Sequence, residues 1–160
     1  SGLKIGIIGD TQGSKKVLEA VYGRFQDVDF FLQTGDHWKD GYYLEHKFQV
    51  PVLTVRGNCD FSEFCKELTF QVMGKTFFLT HGHEYGVKSG LERLYYRALE
   101  VNAAYCVYGH THVPFNRRVG EVLFLNPGSS AWPRGREQYA GILLEHRADD
   151  FYASFVEAEF

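Results

Sequence analysis

The 160-residue sequence predicts an α/β fold in which two packed mixed β-sheets are flanked by helices. Two observations predict this class. Short apolar runs of strand length alternate with helical patterns in the first part of the chain, and a hairpin pattern followed by further strands fills the rest. No internal repeat, low-complexity tract or linker divides the chain, so we expect one domain over residues 1–160.

The first part of the chain alternates between strands and helices. Apolar runs at 3–8, 28–33 and 50–55 predict three strands, and each run ends at a glycine followed by Asp or Asn. Ser14 is a candidate N-cap for a helix that ends near residue 25, and a weaker helical pattern covers 42–48. This alternation predicts a largely parallel sheet with covering helices.

The second part of the chain predicts a hairpin, one helix and four further strands. We expect the helix to run from an N-cap at Ser89 to about residue 101. A loop over 126–138 is rich in Gly, Pro and Ser. The predicted strands are 68–72 and 76–79 around the turn Met73-Gly74, then 104–108, 122–125, and an antiparallel pair at 139–145 and 151–156 that turns near Asp149-Asp150.

The composition of the chain indicates the class of protein, its cell compartment and the partners to expect. The chain is 44% hydrophobic, which is typical of a globular core, and no apolar run is long enough to span a bilayer. Three cysteines without a CxxC pattern favour a reducing, cytoplasmic compartment. The net charge of −3 without a basic stripe argues against long nucleic acid as a partner. The aromatic helix face at Tyr95-Tyr96 serves packing or, alternatively, a contact in a homo-oligomer.

Five segments share one design, a predicted strand followed by glycine and by side chains that bind metals. A glycine at a strand end permits a sharp turn, and the ends of parallel strands meet at one edge of a sheet. Asp, Asn and His ligands suit Mn, Fe, Zn, Ni or Co ions. The alternative interpretation is that these side chains are ordinary polar turn residues that bind no metal. The segments are Gly9-Asp10, Gly35-Asp36, Gly57-Asn58, His81-Gly82-His83 and Gly109-His110-Thr111-His112.

This ordered series resembles the calcineurin-like metallophosphoesterase superfamily, and within it the small YfcE-like phosphodiesterases of bacteria and archaea. Two further segments support the subgroup, Gly57-Asn58-Cys59-Asp60 and Asn126-Pro127-Gly128-Ser129 followed by Pro133-Arg134. The match runs from residue 3 to about 134. The resemblance implies a four-layer α/β/β/α sandwich and a metal-dependent phosphodiesterase that hydrolyses a small phosphate diester.

The resemblance also implies two divalent metal ions, Mn foremost, with Zn, Ni, Fe, Co or Mg as alternatives. It implies that Asp36 bridges the ions, that Asp10 and His112 complete the first site, and that Asn58, His81 and His110 complete the second. A water activated between two such ions would attack phosphorus in line. Asp36, Asn58 and Cys59 are the implied catalytic residues.

Two departures from the family pattern bear on the site. Gln12 stands where the family has a histidine ligand, and its amide oxygen is a poorer ligand for a transition metal. His37 is a possible substitute, although in an extended chain it would point away from Asp36. Cys59 stands where many phosphomonoesterases carry a histidine thought to assist the leaving group, which leans toward diester substrates.

Four other residues are expected to lie near the substrate or to contact the metal-binding side chains. Arg56 either grips phosphate as a bidentate fork or pairs with a carboxylate, and Arg134 either reaches the cleft or is solvated. Asp60 orients a ligand or a loop. His83 contacts substrate, supports the metal site, or has a merely structural role.

An alternative to the enzyme is a catalytically weak metal-binding scaffold or protein-interaction module on the same fold, which Gln12 keeps open. A nuclease would use the same chemistry.

Overall fold

The computed structural model describes residues 2–9, 11, 14–35, 37–55, 57, 66–129 and 139–158, with Trp38 described for its backbone only. Ten strands and three α-helices lie in these ranges, together with a short 3-10 turn at His83–Tyr85. In chain order they are β1 (Lys4–Ile8), α1 (Lys15–Gly23), β2 (Phe30–Gln33), α2 (Trp38–Phe48), β3 (Val52–Thr54), β4 (Glu67–Val72), β5 (Lys75–Thr80), α3 (Glu92–Glu100), β6 (Tyr105–Val107), β7 (Phe115–Val119), β8 (Val122–Asn126), β9 (Tyr139–Arg147) and β10 (Asp150–Glu157).

The first sheet has the strand order β10-β9-β1-β2-β3. Strands β1, β2 and β3 are parallel, with Ile8 opposite Gln33 and Gln33 opposite Thr54, so the three strands end along one edge. Strands β9 and β10 add an antiparallel pair beside β1. The predicted parallel core and the predicted closing hairpin are both confirmed.

The second sheet has the order β4-β5-β6-β8-β7. Its central strands β5, β6 and β8 are parallel, with Leu79 opposite Val107 and Val107 opposite Leu125, while β4 and β7 pair antiparallel at the two edges. The predicted hairpin of β4 and β5 is confirmed. Both sheets are therefore mixed. In each sheet the parallel strands end at a common edge.

One strand was not predicted, and the predicted starts of two helices were wrong, for local reasons. Strand β7 was not predicted because three of its five residues are exposed on an edge, which leaves no apolar pattern. Helix α2 begins at Trp38, earlier than residue 42. Helix α3 begins at Glu92 after Leu91, without a side-chain cap, because Ser89 instead closes a turn with its N–H donating to the Gly86 carbonyl at 2.9 Å. In contrast, the Ser14 hydroxyl caps α1 as predicted.

Three apolar clusters fill the interfaces between four layers, which are α1 with α2, the first sheet, the second sheet and α3. The central cluster joins the facing sides of the two sheets, for example Ile7 and Leu32 with Phe77 and Leu125. A second cluster packs α3 on the outer face of the second sheet, and a third packs α1 and α2 on the outer face of the first. The α/β/β/α sandwich predicted from the sequence is confirmed.

Helices α1, α2 and α3 are all too short, and too polar, to cross a bilayer. The Cys106 thiol lies wholly in the core on β6, as expected from its apolar strand, and burial raises its pKa. Cys59 and Cys65 lie outside the described residues.

Candidate metal centre

The candidate ligands divide between described and undescribed parts of the chain. His81, His83, His110 and His112 lie in the described ranges, on the loops after β5 and β6. The other predicted site residues lie outside the described residues, namely Asp10, Gln12, Asp36, Arg56, Asn58, Cys59, Asp60 and Arg134. In the chain, Asp10, Asp36 and Asn58 come shortly after β1, β2 and β3, the parallel strands of the first sheet.

His81 joins the two sheets at the edge where their parallel strands end. Its side chain is fully buried, and its Nδ1 lies 2.8 Å from the carbonyl oxygen of Thr34, the residue directly after β2. A carbonyl can only accept, so Nδ1 carries a proton, and in the neutral imidazole this leaves the lone pair on Nε2. A backbone carbonyl that orients an imidazole in this way is typical of metal-binding histidines.

The other ring nitrogen of His81 faces a second imidazole. Its Nε2 lies 3.2 Å from Nδ1 of His110. Two nitrogens that bind one ion at about 2.1 Å lie about 3.0 Å apart at a right angle and about 3.4 Å apart at a tetrahedral angle. The observed separation falls between these values, so this pair fits two neighbouring ligands of one ion. The His83 ring lies beside both, with centroids 5.3 Å from His81 and 6.1 Å from His110.

The loop that carries His110 and His112 adopts an uncommon backbone. Both residues have positive φ, 73° and 61°, in the left-handed region that non-glycine residues rarely adopt. Such conformations concentrate at functional sites, where the surroundings impose them. The loop is fastened to the preceding one because the Gly109 N–H donates to the His81 carbonyl at 3.0 Å. His112 is half-buried.

Asn126, at the end of β8, holds the base of the loop that carries His110 and His112 (the histidine loop). Its side chain is fully buried, and Nδ2 donates to the Gly109 carbonyl at 3.3 Å and to the Thr111 hydroxyl at 3.0 Å. Its Oδ1 accepts from the Gly128 N–H at 2.9 Å. Sequence reasoning used Asn126 only as a marker of the subgroup. An asparagine at the end of an apolar strand was the available signal of this positioning role.

Residues close to Asp10 and Asp36 in the chain form hydrogen bonds that hold the loops after β1 and β2. The buried Thr11 hydroxyl, next to Asp10 in the chain, donates to the Asp40 carboxylate on α2. Gln33 accepts from the Thr54 hydroxyl at 2.9 Å and donates to the His37 carbonyl at 3.3 Å. His37 itself is left-handed, with φ of 72°, and not extended as the prediction assumed.

Gly35 permits the close approach of these loops to His81. Its φ of 105° is a conformation that favours glycine, and a Cβ at this position would lie 3.1 Å from Nδ1 of His81. The turn therefore favours glycine before Asp36, and the imidazole leaves little room for a side chain there.

Taken alone, the described ranges contain no group of three or more His, Cys, Asp or Glu side chains placed to hold a metal ion. The His81 and His110 nitrogens, 3.2 Å apart, are therefore a pair of candidate ligands.

Residues 3–149 match the calcineurin-like phosphoesterase superfamily domain. The chain belongs to this superfamily. A relative from Bacillus subtilis, the probable metallophosphoesterase YsnB, is 35% identical over 146 residues, which cover 89% of this chain and 85% of YsnB. The chain is accordingly a metallophosphoesterase, of a metal-dependent enzyme family, as the strand-end motifs predicted.

Two solved structures show the same fold. A predicted phosphoesterase of Streptococcus pneumoniae TIGR4 superimposes with a TM-score of 0.81 at 29% identity, covering 98% of this chain and 90% of that one. YfcE, a phosphoesterase from E. coli, superimposes with a TM-score of 0.69 at 26% identity, covering 93% and 91%. The predicted resemblance to YfcE-like proteins is confirmed.

Proposed function

We propose that this protein is a phosphodiesterase that hydrolyses a small phosphate diester at a centre of two divalent metal ions. The observation that carries the proposal is the pair of imidazole nitrogens, His81 Nε2 and His110 Nδ1, 3.2 Å apart at the edge where both sheets end. The Thr34 carbonyl fixes His81 in the tautomer that a metal ligand needs.

The donor set suits the proposed ions. Asn58, His81 and His110 would hold one ion, Asp10 and His112 the other, and Asp36 would bridge them. Nitrogen and oxygen ligands of this kind suit Mn, which we favour. They also suit Zn, Ni, Fe, Co or Mg, and the availability of each ion decides which one binds. Gln12, where the family has histidine, makes the site of Asp10 and His112 the weaker one.

The surrounding side chains supply substrate binding in this proposal. The ions would contribute Lewis-acid charge against the phosphate oxygens. Arg56 and Arg134 would grip the non-bridging phosphate oxygens, since a guanidinium matches them in a bidentate fork. Cys59, in the place of a histidine that would protonate a poor leaving group, favours diesters over monoesters. His83 would orient the phosphate beside His81 and His110, whose rings it approaches.

The test is hydrolysis of bis(p-nitrophenyl) phosphate by metal-free protein to which Mn, Co, Ni, Zn or Mg is added in turn. Asp36→Asn and His110→Ala should each lower kcat/KM by roughly 100-fold or more, since even the loss of a residue that supports a ligand costs 10- to 100-fold. His46→Ala, at an exposed histidine of α2 that stacks on Tyr42, is the matched control and should retain full activity.

Equal rates in the unmodified protein and in Asp36→Asn would remove the proposal. Protein that holds metal substoichiometrically and hydrolyses no diester would instead support the scaffold or interaction module.

A further inference from the structure

A cavity of about 440 Å³ lies next to the histidine loop, on the side of the second sheet that α3 covers. This volume is within the range of sites for small molecules, which are mostly apolar with a few polar groups. Its lining follows that pattern. The apolar side chains around it are Val87, Leu91, Tyr108, Val113 and Phe115. A larger cavity, of about 640 Å³, lies around the start of β1, with His146 in its lining, and is not lined by residues of the loop of His110 and His112.

The chain connects the smaller cavity directly to the candidate metal centre. Thr111 lines it and stands between His110 and His112, so the wall of the cavity lies one residue, about 3.8 Å along the chain, from each histidine. Val113, the residue after His112, forms another part of the wall and is 46% exposed. The cavity therefore opens at the surface beside the loop that carries two candidate ligands.

The lining indicates what the cavity would accept. The half-buried ring of Phe115 is the main aromatic surface open to a guest, and it packs at 6.4 Å and 62° on the buried ring of Tyr108. Lys88 is the charged residue of the lining, is exposed, and has no ion-pair partner among the described residues. An apolar, aromatic wall with one ammonium group at its rim suits an aromatic group attached to an anion.

We propose that this cavity binds an aromatic ester group of the substrate, the one that stays on phosphorus, while Lys88 attracts the phosphate anion. The proposal rests on the phosphodiesterase function proposed above and names the substrate class as aryl or nucleoside diesters. With a protein net charge of −3, a local cation beside the centre would favour anion binding where it is needed.

Two diesters that release the same p-nitrophenol test this inference. In bis(p-nitrophenyl) phosphate the retained ester group is aromatic, and in methyl p-nitrophenyl phosphate it is a methyl group. The unmodified protein should show a KM roughly 3- to 10-fold lower for the first. Val113→Trp should fill the cavity and abolish this difference. Leu99→Trp, at a 45% exposed position near the other end of α3, is the matched control and should preserve it.

Lys88→Ala should raise KM for both diesters, whereas Lys16→Ala, an exposed lysine on α1, should not. Should Val113→Trp fail to fold, inhibition of the unmodified protein decides: phenylphosphonate should inhibit methyl p-nitrophenyl phosphate hydrolysis at lower concentration than methylphosphonate. Hydrolysis of both diesters with equal KM, or equal inhibition, would overturn the cavity assignment and leave the phosphodiesterase intact. Hydrolysis of neither diester would overturn the phosphodiesterase itself.

Discussion

At the scale of single residues, one buried amide organises the loop of His110 and His112. Asn126 uses both ends of its side chain, donating to Gly109 and Thr111 and accepting from Gly128. These bonds hold a loop whose two histidines have strained, left-handed backbones. These three bonds of Asn126 go to Gly109, Thr111 and Gly128, so we assign it a positioning role that acts through the placement of His110.

We predict that Asn126→Asp weakens metal binding. The new carboxylate oxygen cannot donate to the Gly109 carbonyl, so the loop loses its fastening and the ligand positions shift. The dissociation constant for Mn, measured by isothermal titration calorimetry, should rise roughly 10- to 100-fold. Asn116→Asp, at an exposed position of β7, controls for the added charge. An unchanged dissociation constant in a folded Asn126→Asp protein would contradict the positioning role.

At the scale of elements, a polar cluster ties β4 and the 3-10 turn to α3. The Tyr85 hydroxyl donates to the Glu67 carboxylate, and Arg97 donates to the same carboxylate from Nη2 at 2.6 Å. Burial, followed by the bond to Glu67, raises the pKa of Tyr85 to about 12. The bond to Glu67 likewise raises the pKa of Arg97. The cluster holds the 3-10 turn, which begins at His83, against the helix.

The raised pKa of Tyr85 predicts a loss of stability at alkaline pH. In the unfolded chain this tyrosine loses its proton near pH 10, while in the folded protein it keeps the proton to about pH 12. Its contribution is therefore complete below pH 10 and is lost as pH rises through 12. The free energy of unfolding in urea, measured from pH 8 to 12, should fall more steeply above pH 10 in the unmodified protein than in Tyr85→Phe. Parallel profiles would contradict the shift. Tyr96→Phe, at an exposed position of α3, controls for the loss of a hydroxyl.

At the scale of the whole molecule, the candidate ligands come from both sheets. Asp10, Asp36 and Asn58 follow strands of the first sheet in the chain, and the histidines follow strands of the second. The bond from His81 to the Thr34 carbonyl already joins these edges. A metal ion held by ligands from both sheets would add a cross-link that the unfolded chain lacks.

Metal should therefore stabilise the whole fold. Mn at 100 times its dissociation constant should add about 2.7 kcal/mol to the free energy of unfolding relative to protein in EDTA. The gain should disappear in Asp36→Asn and persist in His46→Ala, as measured by urea unfolding. An equal gain in Asp36→Asn would show that the stabilising ion binds elsewhere.

The sequence alone predicted the parts of this protein that depend on local chemistry. The glycine and polar residue after each strand, and the His-x-His pairs, identified the parallel strands and the family, because ligand type and turn geometry are encoded within a few residues. Strand β7 escaped prediction because Arg117 and Arg118 face solvent on an edge, where no core imposes a pattern.

Only the tertiary structure decided how these parts meet. The proton position on His81 depends on a carbonyl 47 residues away, and the hold on His110 depends on Asn126, from a different strand. The cavity beside Thr111 likewise forms between the segment that precedes α3 and the loop of His110 and His112. Such contacts join segments far apart in the chain. They exist only after the sheets pack face to face, so no local pattern can encode them.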